Sequence, residues 1–280
     1  MDLFRRKTER PSIFRVSTAP FRLLPDFLII GGMKCGTDSL YFNLIKHPNV
    51  HPAFIKETYF FCHYYHCGLE WYRSHFPLAL WKKANRIMSR SFVTGEASPK
   101  YLFDMHVPKR VYQHLPRVRL IVLLRNPVDR AFSHYRMRAR KGGDRLSFEK
   151  ALENEEKRIQ DDFLKRCENE HYSAKKYWVY SYKARGIYVD QLKRWNEYFK
   201  REDMLILNSE EFDADTEKVY YKVLEFLGLP LWRPRRFEKF NVAAGNLEME
   251  KNTRKRLIEY FRPHNERLYE WLGYRFDWDR

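Results

Sequence analysis

Residues 27–37 read Phe27-Leu28-Ile29-Ile30-Gly31-Gly32-Met33-Lys34-Cys35-Gly36-Thr37, and a helical pattern at Leu40, Leu44 and Ile45 follows. An apolar run, a glycine turn and a helix start, in that order, point to an α/β architecture. They also form a phosphate cradle, because loop N–H groups and a helix N-terminus both favour an anion. A nucleoside-triphosphatase loop reads GxxxxGK[ST], with its lysine after the last glycine. Gly31 and Gly36 keep that glycine spacing, but Thr37 follows Gly36 and the lysine, Lys34, lies inside the loop. Lys34 therefore meets a phosphate chain at a different point. The alternative reading of the loop is a structural glycine turn.

Apolar runs at Phe27–Ile30, Phe92–Thr94, Leu120–Leu124 and Met204–Leu207 predict buried strands, with a fifth candidate near Glu57–Phe61. Helical patterns separate them. Asn126 caps a helix with Pro127 in first position, and Val128, Ala131, Phe132 and Tyr135 supply its apolar stripe. Tyr188, Leu192, Trp195 and Phe199 mark a second helix. A third runs from about Thr216 to Leu227 and stops at Gly228. Alternating strands and helices predict an α/β, P-loop-like three-layer fold, with a central, mostly parallel sheet of about five strands flanked by helices. Residues 1–24 read as a basic, proline-punctuated lead-in and 25–280 as a single domain. A charged helical insertion at about 142–180 reads either as a lid or substrate wall beside the site, or as a solvated surface helix.

The 280 residues carry a net charge of +17, which predicts an anionic partner without choosing one. Four scattered cysteines (Cys35, Cys62, Cys67 and Cys167) do not form a disulfide scaffold and read as thiols in a reducing compartment. No apolar run reaches the ~18–20 residues of a membrane span, and the basic start lacks the apolar region of a signal peptide. The expectation is a cytoplasmic protein with no membrane span.

Two constellations carry chemistry. In the first, Thr37 and Ser39 add hydroxyl donors to the loop. Asp38 puts a carboxylate toward the same anion unless its side chain turns away. In the second, Arg125 ends the strand Leu120–Leu124 and Ser133 follows eight residues later. An arginine at a strand's C-terminal end faces the crevice where α/β ligands sit, and its fork suits a terminal phosphate. Taken together, the two describe a ligand with phosphate at both ends.

On these residues the chain resembles the sulfotransferases that use 3′-phosphoadenosine-5′-phosphosulfate (PAPS), most closely the glycan branch of heparan sulfate N- and 3-O-sulfotransferase domains and their bacterial relatives. FLIIGGMKCGTDSL is similar to the 5′-phosphosulfate loop and LIVLLRNPVDRAFSHY to the 3′-phosphate motif. KETYFF, HYYHCGLEWYRSHFP, GEASPKYL, GIYVDQLKRW and LIEYFRPHNERLYEWLGYRFDW also match, so the resemblance spans about residues 25–280. It implies that Lys34 stabilises the departing phosphate, with Gly36, Thr37, Asp38 and Ser39 at the other loop positions. It further implies that Arg125 and Ser133 hold the 3′-phosphate and that Glu57 is the general base. The cofactor would be PAPS, the product 3′-phosphoadenosine-5′-phosphate, and no metal is required. The chain departs from the pattern at Ala97, where the branch has lysine, with Lys100 as a possible substitute. It departs again at Asp38, and after Phe240-Asn241, where the usual Lys-Gly-Arg loop is missing and Gly245, Lys251 and Arg254 are the candidate contacts.

Cys62-His63 with His66-Cys67 offers four ligand types, but too tightly spaced for a usual zinc cage. His63, His66 and Lys100 are candidate substrate contacts. The acceptor reads as a hydroxyl or amine of a small molecule, lipid or carbohydrate, and the oligomeric state is left open. Nucleic acid is not the expected partner, because the basic residues are spread along the chain. A P-loop kinase-like phosphotransferase and a non-enzymatic polyanion-binding module are the alternatives.

Overall fold

The computed structural model describes residues 11–88, 91–240 and 248–278. Five strands form one sheet: β1 (Phe27–Gly31), β2 (Val50–Pro52), β3 (Val93–Ala97), β4 (Arg119–Leu124) and β5 (Met204–Asn208). Their order is β2-β3-β1-β4-β5, and every pairing is parallel. The connection leaving β1 leads to one side of the sheet and that leaving its neighbour β4 to the other, which places a switch point, and hence a ligand crevice, at the C-terminal ends of β1 and β4.

Both sheet faces are buried, which explains the unbroken apolar runs. Leu28, Ile30, Leu120, Val122 and Leu124 face one layer, packing with Tyr188, Leu192 and Trp195. Phe27, Ile29, Ile121 and Leu123 face the other, with Leu40, Leu44, Val219 and Val223. The alternation follows from the two-residue side-chain period of a strand. The helices form as their caps predict. The Pro127–Arg140 helix is capped by the Asn126 side chain accepting from Val128 N. The Thr216–Phe226 helix is capped by Asp215 and ends before Gly228, which has φ +66°.

The expected strand at Glu57–Phe61 is not formed. The fifth strand is Val50–Pro52, while Tyr59 is left-handed at φ +51° and a π-helical turn covers Phe60–Tyr64. The amide of Thr58 donates to the Glu96 side chain rather than to a neighbouring strand. Residues 142–180 form the helices Phe148–Glu153, Glu155–Glu168 and Lys175–Tyr180. They are more than a solvated face, because Ile159, Ala174, Tyr177 and Trp178 bury against Phe103. A buried Arg166–Asp104 ion pair at 3.1 Å locks this layer to the segment after β3. Within the lead-in, Arg15 and Arg22 donate to the Phe76 carbonyl and hold residues 13–22 against the body.

Candidate active site

The glycine loop leaves β1 at the centre of the sheet. A Cβ on Gly31 would lie 2.5 Å from Leu102 Cβ, so backbone passes where no side chain fits. Gly32 N donates to Leu123 O at 2.6 Å and Cys35 N to Gly32 O at 3.2 Å, which closes the turn against β4. Gly36 adopts φ +87°, a left-handed geometry that glycine takes without steric cost. The helix Thr37–Leu44 begins there with no side-chain cap on its first turn. An end of this kind turns its N–H groups and its positive dipole toward an external anion.

Lys34 is itself left-handed, at φ +74°. Arg125, at the end of β4, donates from Nη1 to the Lys34 carbonyl at 3.4 Å, so both cationic residues belong to one crevice. The backbone of Arg125 is fixed from behind by Tyr188, whose hydroxyl donates to its carbonyl at 2.8 Å. Burial holds the Lys34 ammonium below the usual lysine range. Asp38 opposes this, while Arg125 and Arg140 add to it. A partly desolvated lysine among other cations is an electrostatic receptor for a multiply charged anion. Ser133 lies half-buried in the Pro127–Arg140 helix that starts just beyond Arg125.

Glu57 is buried and joined to the loop by a residue that the sequence did not single out. Lys56 Nζ pairs with Glu57 Oε1 at 2.7 Å and also with the carboxylate of Asp38. The Asp38 charge is therefore balanced by a cation from the Glu57 segment. Just behind stands Glu96 on β3, fully buried. It accepts from Thr58 Oγ1 (2.7 Å), Ser98 Oγ (2.7 Å), Tyr101 OH (2.9 Å), Tyr72 OH (3.1 Å) and Thr58 N (3.2 Å). Burial raises its pKa, and these donors work against that rise. Ser98 Oγ also accepts from Tyr59 N at 3.2 Å, so the peptides on the C-terminal side of Glu57 are held by β3 and its exit.

Lys100 lies with its ammonium over the Tyr59 ring at 4.7 Å and 3.0 Å from His63 Nε2. Burial, then Lys100, Arg166 and Arg185, push His63 down to about 3, so its neutral ring accepts the lysine proton donor. The His63 ring meets Trp178 of the insertion edge-on at 4.2 Å. His63 and Lys100 are thus brought together against Tyr59, two residues along the chain from Glu57, while His66 stays exposed. Cys62 is buried and Cys67 exposed, and among the described residues no cluster of His, Cys, Asp or Glu is disposed to hold a metal. A cavity of about 630 Å³ runs along β5 and residues 274–278.

Several expected contacts are already engaged. Ser39 Oγ accepts from Phe240 N at 2.9 Å, tying residues 238–240 to the loop helix. Arg254 pairs with Asp129 on the Pro127–Arg140 helix, and Lys251 is exposed at the start of the Lys251–Leu272 helix. Gly245 lies outside the described residues. Lys56 and Arg140 were missed. The signal for Lys56 was its place beside Glu57 in a chain where Asp38 needs a counter-charge. Nothing local marks Arg140.

Residues 24–264 match the family model described as a sulfotransferase domain. The chain is 25% identical to the membrane-associated sulfotransferase kil1 of Dictyostelium discoideum, over 98% of this chain and 70% of that one. It is 29% identical to the heparan sulfate glucosamine 3-O-sulfotransferase 6 of Homo sapiens, over 92% and 74% of the two chains. A solved sulfotransferase from Alicyclobacillus acidocaldarius superposes with a TM-score of 0.68 at 30% identity, covering 92% of this chain and all of that one.

Proposed function

We propose, from the premise that this chain belongs to the sulfotransferase domain family, that the Lys34–Arg125 crevice grips the two phosphate ends of PAPS and that Glu57 serves an acceptor beside it. Sulfotransfer to a hydroxyl or amine is the reaction class of the family. One observation carries the site assignment. The glycine loop, Arg125 and the Glu57 segment converge, the first two through the Arg125–Lys34 contact and the last through Lys56 and Asp38.

The crevice fits the donor on its own chemistry: an uncapped helix end, a half-buried lysine and a forked cation around one turn. When bound, the donor supplies the sulfuryl group and a bisphosphate leaving group. The chain's residues then have separate tasks. Lys34 places positive charge where negative charge grows on the departing oxygen. Arg125, with Ser133, anchors the far phosphate and fixes register. Glu57 takes the proton from the acceptor's O–H or N–H. Lys56 holds the Glu57 carboxylate toward the loop, and the Glu96 network fixes the following peptides. His63, Lys100 and Trp178 form one wall for the acceptor.

The relatives named for heparan sulfate glucosamine make a carbohydrate hydroxyl the first acceptor to test, with lipids and small molecules next. The four thiols support a reducing, cytoplasmic setting as part of this proposal. A thermal-shift comparison of 3′-phosphoadenosine-5′-phosphate, ATP with magnesium and an oligonucleotide separates this reading from a kinase and from a polyanion binder. Only the bisphosphate is expected to raise Tm strongly. Stabilisation by ATP–magnesium alone would overturn the proposal. Radiolabelled donor with glucosamine-containing oligosaccharides then tests the acceptor.

A further inference from the structure

The helix Ala79–Ile87 has its polarity turned outward. At 100° per residue, Leu80, Ala84 and Ile87 lie on one arc with Trp81 and Met88 at its edge, while Lys82, Lys83, Asn85 and Arg86 occupy the rest. In a surface helix of a soluble domain the apolar arc packs on the core. Here the polar arc meets the body instead, through Lys82 Nζ 2.5 Å from Asp26 Oδ1. No residue of the helix is buried. Leu80 is 69% exposed, Trp81 59% and Ile87 78%.

A second segment widens the patch. Arg22 bridges to Leu78, and Leu23 N donates to Pro77 O at 2.9 Å, which brings Phe21 beside the start of the helix. The helix Ile13–Ser17 is held close by Arg15 donating to Ser74 O at 2.7 Å, and Ile13 and Phe14 are both exposed. Large apolar side chains are therefore exposed on two segments that the Arg22–Leu78 bridge brings together, where isolated ones would need no explanation.

We propose that this face docks on a lipid bilayer carrying anionic headgroups. Residues 11–25 and 77–91 contain arginine and lysine but no aspartate or glutamate. Exposed Lys83 flanks the apolar arc and exposed Arg86 lies beyond it, in a chain whose net charge is +17. An apolar ridge edged by tryptophan and bordered by cations matches the headgroup–acyl boundary. A second copy of the chain would set two sets of these arginine- and lysine-bearing segments against each other, so like-charge repulsion opposes self-association. Asp26 immediately precedes β1 and the glycine loop follows it, so the docking face and the crevice lie at opposite ends of the same strand.

The test is sedimentation of the whole chain with phosphatidylcholine vesicles, with and without phosphatidylserine. Wild type is expected to partition onto phosphatidylserine vesicles, far less onto neutral ones, and to be released by salt. Leu80→Glu, Trp81→Glu and Ile87→Glu combined should weaken partitioning by roughly a hundredfold or more. Lys83→Gln with Arg86→Gln should weaken it about fivefold per charge. All variants should bind 3′-phosphoadenosine-5′-phosphate as wild type does, which establishes that they fold. Absence of wild-type binding to phosphatidylserine vesicles would overturn the proposal, as would a triple variant that partitions normally. A concentration-dependent dimer abolished by the triple substitution, without vesicle binding, would overturn it in favour of self-association.

Discussion

Replacing Glu96 by alanine separates a positioning role from a merely structural one. The carboxylate accepts from Thr58 N, Thr58 Oγ1, Ser98 Oγ, Tyr72 OH and Tyr101 OH, all buried. Thr58 Oγ1 and Tyr101 OH already lie 3.1 Å apart, so one of the two can donate to the other after the change. About four donors are then left without an acceptor, at about 1–3 kcal/mol each. Loss of a desolvated carboxylate offsets part of this, so the net loss is about 3 kcal/mol. With a urea m-value near 2 kcal/mol/M, the unfolding midpoint should fall by roughly 1.5 M. The functional consequence is larger than stability alone accounts for. Thr58 follows Glu57 directly, and a displacement on the order of 1 Å at a reacting group costs ~100-fold in rate. Under conditions where Glu96→Ala remains folded, kcat should drop by about two orders of magnitude. Calorimetric affinity for the bisphosphate product, held by other segments, should stay unchanged. Glu96→Gln, which keeps one acceptor oxygen, should recover part of both losses. A variant that loses the expected stability yet keeps full kcat would refute the positioning argument. An unchanged midpoint would refute the energetic one.

Three further outcomes are expected. Lys34→Ala should lower kcat by about 10²–10³, the usual effect of removing one stabilising charge at a leaving oxygen, and a normal single-turnover rate would remove that role. Arg125→Ala should weaken bisphosphate binding by roughly 10–100-fold, as loss of charge-assisted hydrogen bonds does, with equal binding in calorimetry as the contrary result. Burial holds His63 at about 3 and His75 at about 4, both below an unfolded value near 6.5. The unfolded chain therefore binds more protons below pH 6.5. Stability is full above that pH and is lost as pH falls, by on the order of 2 kcal/mol per histidine at pH 5. Urea midpoints measured between pH 5 and 8 should slope accordingly, and His63→Gln should flatten the curve.

The parts of the site that could be read from the chain are those with local signatures. The glycine loop, the Arg125-Asn126-Pro127 strand exit and the capped helices each rest on residues within a few positions of one another. The parts that escaped depend on segments meeting. Val50–Pro52 is only three residues long and ends in proline, so no periodicity marks it as a strand. The apolar stretch through Phe60 and Phe61 looked more strand-like, but the Glu96 side chain captures its backbone. Lys56 gains meaning only when Asp38 arrives opposite it, and the Lys100–His63 contact only when the exit of β3 folds over the turn after Tyr59. In the 142–180 region the weak amphipathic pattern hid Trp178, whose partner His63 is over a hundred residues away.

The strand order carries a consequence for synthesis. β1 is the centre of the sheet, and Phe27 pairs with Gly95 on one side and Arg119 on the other. A ribosome adding about 5–20 residues per second therefore exposes the glycine loop seconds before either flanking strand exists to mould it. Because such distant pairings also form slowly, the first part of the crevice to be synthesised is among the last to reach its final shape. Ligand capture by a nascent chain would then report that residues beyond the fourth strand have left the exit tunnel.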